Sequence, residues 1–290
     1  LARHPDRLKL GGETRDMTLM FCDVRGFTAI SEGFKSNPQG LTRLINRLLT
    51  PLTDCILRRE GTIDKYMGDC IMAFWNAPLD VKNHAHQACE SALAMRRALD
   101  ELNIERQTEA TNENSPFMPL NVGIGINCGD CLVGNMGSDQ RFDYSVLGDA
   151  VNLASRLEGQ SKNYGVDIVL GEAIAERVED DFAILELDLI AVKGKSEAVH
   201  IHALLGDANL QNSDDFAFHR NAHQNMISAY RAQNWDAAAA LLDQCREISR
   251  TADNAGPLNG LYDLYEDRIR LFRATPPPTN WNGVFVAISK

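Results

Sequence analysis

The stretch that most restricts this chain is residues 61–75, GTIDKYMGDCIMAFW. It divides into two short strand-like runs around Gly68-Asp69, and a Gly at the first of two loop positions suits a tight type II′ hairpin turn. A two-residue loop sets the register, so Met67 is expected opposite Cys70, Lys65 opposite Met72 and Ile63 opposite Phe74. One face then reads Ile63, Lys65, Met67, Cys70, Met72, Phe74, with a single lysine among apolar side chains. An ammonium buried there is costly unless a partner meets it, although a lysine stem can also run along apolar surface to water. Asp69 sits at the hairpin tip, either as an ordinary turn residue or as a carboxylate offered to solvent or a metal.

The flanking segments supply further candidates. Residues 18–22, TLMFC, suit a strand buried on both faces, and the run stops at Asp23. Beyond it come Val24-Arg25-Gly26-Phe27-Thr28 and a helix-like AISEGF. Asp23 either caps that helix or holds a metal while the backbone N–H groups of residues 24–28, Phe27 and Thr28 among them, cradle phosphate oxygens. Residues 40–60 carry a helical stripe through Leu41, Leu44, Ile45, Leu48, Leu49, Leu52 and Ile56, with Pro51 as a possible kink. A second amphipathic helix is expected over 83–102, a polar loop over 107–116, a glycine-rich strand over 120–133 and a loop over 134–138. A strand over 141–146 leads into GDAVNLASRLE, where Asn152 and Arg156, four apart, share one helix face beside a Leu153/Leu157 stripe. Ser145 lies just upstream. A strand at 167–170, a helix at 172–179 and a strand pair across 182–204 follow, the pair interrupted by Val192-Lys193-Gly194-Lys195.

Composition narrows the partners. A formal net charge of −11 over 290 residues argues against nucleic acid or an anionic membrane surface, yet leaves room for a small anionic ligand held by local cations. No apolar run approaches the roughly 20 residues of a membrane helix. Seven cysteines scattered through apolar segments fit a reducing compartment, and the pair Cys128/Cys131 reads as two small buried strand residues. His219 and His223, at i, i+4 with no third ligand close in sequence, make a poor zinc site. Residues 206–215 read as a linker, and 216–290 as a helical tail with one tetratricopeptide-like unit, fewer than the roughly three a free-standing array needs. The chain starts at Leu1, without initiator Met or signal peptide, and residues 1–15 read as a lead-in from something longer.

FCDVRGFTAIS, GTIDKYMGDCIMAFW, YSVLGDAVNLASRLE and VKGKSE stand in the order and spacing of the class III nucleotidyl cyclase catalytic domain, which residues 16–205 resemble. The resemblance implies an α/β, ferredoxin-like βαββαβ palm working as a head-to-tail homodimer, with active sites at the interface. It implies that Asp23, Asp69 and the Val24 carbonyl bind two Mg²⁺ or Mn²⁺ ions. It further implies that Lys65 and Ser145 read adenine, Asn152 orients the ribose, Arg156 stabilises the transferring phosphate, and Lys193 and Arg141 hold the terminal phosphates. Each site would draw its aspartates from one subunit and Lys65, Ser145, Asn152 and Arg156 from the other. The expected activity is ATP to 3′,5′-cyclic AMP and pyrophosphate, as the cytoplasmic output of a larger, membrane-anchored or sensor-bearing protein. Ser145 departs from the usual Thr or Asp, which implies looser base selection. A guanylate cyclase would carry Glu at position 65, and a silent regulatory module would lack a metal aspartate or the Asn/Arg pair.

Overall fold

A computed structural model describes residues 11–138, 140–191, 198–251 and 258–286, which divide into two compact units meeting between Glu158 and Gly159. The first unit begins with β1 (Gly11–Val24), α1 (Phe27–Gly33) and α2 (Pro38–Leu57). The hairpin follows as β2 (Thr62–Met67) and β3 (Cys70–Trp75), and then come α3 (His84–Glu113), β4 (Val122–Ser138), β5 (Arg141–Leu147) and the start of α4 (Asp149–Tyr164). Its strands run in the order β2-β3-β1-β4, all antiparallel, with β5 folded back on β4. That order, with helices between the first and second strands and between the third and fourth, is the ferredoxin-like palm that the motifs imply.

The hairpin forms as a tight turn because Gly68 takes φ 69°, a left-handed value that costs glycine nothing, while Asp69 is not among the positive-φ residues. Met67 pairs with Cys70 and Lys65 with Met72, as expected, but the register then slips. Ile63 pairs with Ala73 and Thr62 with Phe74, so Asp64 is an extra residue in β2, a β-bulge that no period-two pattern can show. Lys65 keeps its expected place opposite Met72, and its side chain is 44% exposed, so of the two readings open to it the stem that runs along apolar surface to water is the one adopted.

Two loops expected from polarity are not loops. Helix α3 runs on to Glu113 through residues 107–113, because Ala110 is buried and Glu109 pairs with Arg47 of α2 at 2.6 Å. Strand β4 continues through 134–138, where Gly134 lies so close to the backbone of Gly11 that a Cβ would stand 2.1 Å from its carbonyl oxygen. The lead-in is likewise structured from Gly11 onward, pairing with β4 down to Asn135. Cys128 and Cys131 are buried in β4, and neither is in a disulfide.

The core against the sheet holds Met17, Leu19, Phe21, Met72, Phe74, Val133, Val146 and Val151. Helix α4 sits on β4 at Gly125, where a Cβ would lie 2.2 Å from the Glu158 nitrogen and 2.3 Å from the Ala154 oxygen. Only a residue without a side chain allows that approach.

In the second unit β6 (Ile168–Gly171), α5 (Glu172–Val178), β7 (Ala183–Ala191) and β8 (Ala198–Gly206) precede α6 (Ala208–Gln211), α7 (Asp214–Arg231), α8 (Trp235–Thr251), α9 (Asn259–Ala274) and β9 (Phe285–Val286). β8 pairs antiparallel with both β6 and β7, and β9 adds in parallel to β7. The expected linker at 206–215 contains the short α6, started by the Asp207 side chain on the Asn209 N–H. His219 and His223 are buried in a relay: Tyr262 Oη lies 2.7 Å from His219 Nε2 and 3.3 Å from His223 Nδ1, and His223 Nε2 donates to the Glu186 carbonyl at 2.6 Å. Burial holds both imidazoles below their ordinary pKa, His219 down to about 4, so they serve the packing of α7 and α9 on β7 as neutral rings. Beside them Arg268 of α9 meets Asp188 of β7 at 2.6 Å in a buried ion pair.

Gly125→Ala should destabilise the chain by about 1–3 kcal/mol through overpacking of α4 on β4. A denaturant melt checks this, and an unchanged midpoint would show that the helix can move away at no cost.

Candidate active site

The site is built where β1 ends beside the hairpin tip. Cys22 of β1 stands opposite Ile71 of β3, so the next residues along the ladder are Asp23 on one strand and Cys70 and Asp69 on the other. Both aspartates are half-buried. Burial first, and then the neighbouring Asp69 carboxylate, raise the pKa of Asp23, against a hydrogen bond from the Val24 N–H. Glu158 of α4 is pushed up to about 7 by burial and by the charge of Asp23, with Arg25 pulling the other way. Asp23 does not cap α1, since that helix starts from Gly26 at φ 69° with no side-chain cap.

Three carboxylates, Asp23, Asp69 and Glu158, crowd here with Arg25 beside them, and such an oxygen-rich group suits a hard divalent cation. The adjacent thiols do not compete: burial keeps Cys70 up at about 12 and Cys22 well above its ordinary value. Among the described residues no cluster of three or more His, Cys, Asp or Glu side chains forms a metal cage, so the donor set is this carboxylate pair with backbone oxygen beside it. Sites that take Mg²⁺ typically use one or two carboxylates and leave the remaining positions to substrate phosphates and water.

A second cluster gathers at the bulge. Ser145 of β5 is buried; its Oγ donates to Asp64 Oδ2 at 2.9 Å and receives Lys65 Nζ at 3.5 Å. Lys65 Nζ also lies 3.7 Å from Asp64 Oδ1. Lysine and serine, expected to act together from positions eighty apart in sequence, are thus brought into contact by the β2 bulge and the β4–β5 hairpin. On α4, Asn152 and Arg156 are both exposed along one face while Leu153 and Leu157 are buried. Phe27 is half-buried and Thr28 exposed at the start of α1, and Val24 is buried. Arg141 is exposed at the opposite end of β5 from Leu147, its N–H bonded to Ser138 Oγ. Lys193 lies outside the described residues.

A match to the Adenylate and Guanylate cyclase catalytic domain covers residues 12–206. The chain belongs to that family. It is 38% identical over 192 residues to an adenylate cyclase of Anabaena cylindrica, covering 65% of this chain and 36% of that protein. It is 31% identical over 201 residues to adenylate cyclase 1 of Rhizobium meliloti, covering 69% and 29%. This chain thus matches only about a third of the length of these cyclases. Among solved structures it resembles the adenylyl cyclase CyaB from P. aeruginosa, with TM-score 0.59, 32% identity and coverage of 68% of this chain and 97% of that one. The guanylyl cyclase Cya2 is as similar, with TM-score 0.59, 33% identity and coverage of 68% and 95%. Overall likeness therefore does not separate the two nucleotides.

Two residues that the structure brings to this candidate site escaped the sequence reading. Asp64 was invisible because alternation puts it on the face opposite Lys65, and only the bulge re-aims it. Glu158 carries no local signal, since its place beside Asp23 depends on α4 settling at Gly125.

Because Asp23 and Asp69 repel each other in the absence of metal, Asp69→Asn should stabilise the chain in chelator. A rise in melting temperature of roughly 2–4 °C corresponds to about 1 kcal/mol in a domain of this size. A lower melting temperature would show that the two charges do not oppose each other.

Proposed function

We propose that this chain is an adenylate cyclase catalytic domain, turning ATP into 3′,5′-cyclic AMP and pyrophosphate at the interface of a head-to-tail homodimer. The observation that carries the reading is the Asp23/Asp69 carboxylate pair set side by side at the end of the β1–β3 ladder, in a cyclase domain whose position 65 is an ammonium held against a serine hydroxyl. When bound, two Mg²⁺ or Mn²⁺ ions supply Lewis acidity to phosphoryl transfer, and Asp23, Asp69 and the Val24 carbonyl would hold them.

The remaining roles belong to the chain itself. Lys65 donates to adenine N1, which guanine, carrying a hydrogen there, cannot accept. Ser145 meets the 6-amino group. Asn152 orients the ribose so that its 3′-hydroxyl lies in line with the α-phosphorus, and Arg156 one turn on meets charge that builds on the phosphate. Lys193 and Arg141, with the leading N–H groups of α1 at Phe27 and Thr28, take the β- and γ-phosphates. The aspartates come from one subunit and the base, sugar and phosphate readers from its partner. Residues 16–205 form the catalytic region, and 216–290 a helical appendage packed by the His219–Tyr262–His223 relay. Since the matched region is only 36% and 29% of the length of these two relatives, we place this chain as the cytoplasmic output segment of a larger signalling protein, its input lying elsewhere in that protein. Similarity to Cya2 favours guanylate cyclase as the second reading, and Lys65 opposes it.

Purified chain with ATP and Mn²⁺ should form cyclic AMP at a rate that climbs faster than linearly with protein concentration. Arg156→Ala should lower kcat by about 10²–10³ with little change in KM, because the guanidinium acts on developing charge. Asp23→Asn and Arg156→Ala chains, each nearly inactive, should regain activity when mixed, since a mixed dimer keeps one whole site. Cyclic GMP as the main product would favour the second reading; no recovery on mixing would exclude the shared site.

A further inference from the structure

The Lys65–Ser145 pair rests on a third residue for which neither the family match nor the relatives supply a role. Asp64 is the unpaired residue of the β2 bulge, between the Ile63–Ala73 and Lys65–Met72 pairs. Its side chain is 0% exposed, yet it is acidic. A buried carboxylate is expensive to hold and needs partners. One oxygen, Oδ2, accepts the Ser145 hydroxyl proton at 2.9 Å; the other, Oδ1, is buried without a hydrogen-bond partner, with Lys65 Nζ 3.7 Å away. Asp143, two residues before Ser145 on β5, adds a like charge that makes the position still less favourable. Such a costly arrangement does nothing for the packing of an antiparallel strand.

Its consequence is a fixed hydrogen-bond polarity. A serine hydroxyl has one proton and two lone pairs, and can face a ligand as donor or as acceptor. An ionised carboxylate only accepts, so Asp64 takes the one proton of Ser145, while Lys65, which only donates, takes up one lone pair. What Ser145 has left to offer a base is a lone pair. We propose that Asp64 is a positioning residue that sets nucleotide choice, by locking Ser145 as an acceptor and thereby favouring a 6-amino purine over a 6-oxo purine. This deepens the adenylate cyclase reading and rests on it. Adenine presents an amino donor at C6, which the lone pair accepts, whereas guanine presents a carbonyl oxygen, which would face it acceptor to acceptor. With Asp64 in place, a serine that could otherwise serve either base serves one.

The test compares kcat/KM for ATP and GTP in the full chain and in Asp64→Asn, which keeps shape but can donate as well as accept. The ATP:GTP ratio should fall about tenfold, the worth of one hydrogen bond to a charged group. In a Ser145→Ala background the same substitution should leave the ratio where it was, because Asp64 acts through that hydroxyl; a merely structural defect would lower both nucleotides alike in either background. An inactive native chain overturns the cyclase reading and this inference together. An active native chain whose ratio is unmoved by Asp64→Asn overturns only the role of Asp64. Should Asp64→Asn fail to fold, the native chain and Ser145→Ala are assayed with ATP and with the triphosphate of purine riboside, which keeps the N1 lone pair and carries only hydrogen at position 6. The native chain should prefer ATP and Ser145→Ala should lose that preference; equal use of the two by the native chain overturns the proposal.

Discussion

Two carboxylates held side by side at the end of a buried strand are the constraint on which this structure turns. The antiparallel β1–β3 ladder and the two-residue turn at Gly68 leave Asp23 and Asp69 no other place to be. Their charges disfavour each other, and partial burial sharpens the effect. A fold selected for stability alone would not keep both. A divalent cation bound there would relieve the strain, so that metal affinity and metal-free stability would be opposed by construction. Elements farther out serve the same end: Gly125 lets α4 lie flat on β4, and α4 in turn carries Asn152 and Arg156 outward while bringing Glu158 to the aspartates.

Much of this was legible in the chain because local chemistry and fold agree. Apolar runs marked β1 and β3, the 3.6-residue stripes marked α2 and α4, and Gly68-Asp69 marked the turn. The misses share one physical cause, which is that packing between distant segments overrode local polarity. Residues 107–113 look like loop, but a helix is retained there by burial of Ala110 and by the Arg47–Glu109 pair. Residues 134–138 look like turn, but their glycines allow close backbone approach to β1. The bulge at Asp64 is a one-residue slip with no signature in an alternating pattern. Of the candidate site residues, Lys65 and Ser145 were legible from the motifs that carry the resemblance, and the structure brings them together, but the carboxylate that joins them was not legible.

The second unit shows a different economy. Its helices are fastened to β7 by polar groups buried in neutral or paired form: the His219–Tyr262–His223 relay, the Arg268–Asp188 pair and Tyr265 Oη on the Leu187 carbonyl. Such bonds specify where α7 and α9 sit more than they add stability. Around them an aromatic group of Tyr230, Trp235, Phe272 and Trp281 fills the remaining space with edge-on and tilted contacts. The tail is accordingly a specifically docked element within its own unit.

The central claim, that Asp23 and Asp69 together hold the catalytic cations, is tested most directly by anomalous scattering from manganese. Crystals of the chain grown with Mn²⁺ and a non-cyclisable ATP analogue should show anomalous peaks between the two aspartates, with the analogue's phosphates completing the shell. A closed dimer with nucleotide bound and no anomalous peak between them would contradict the account.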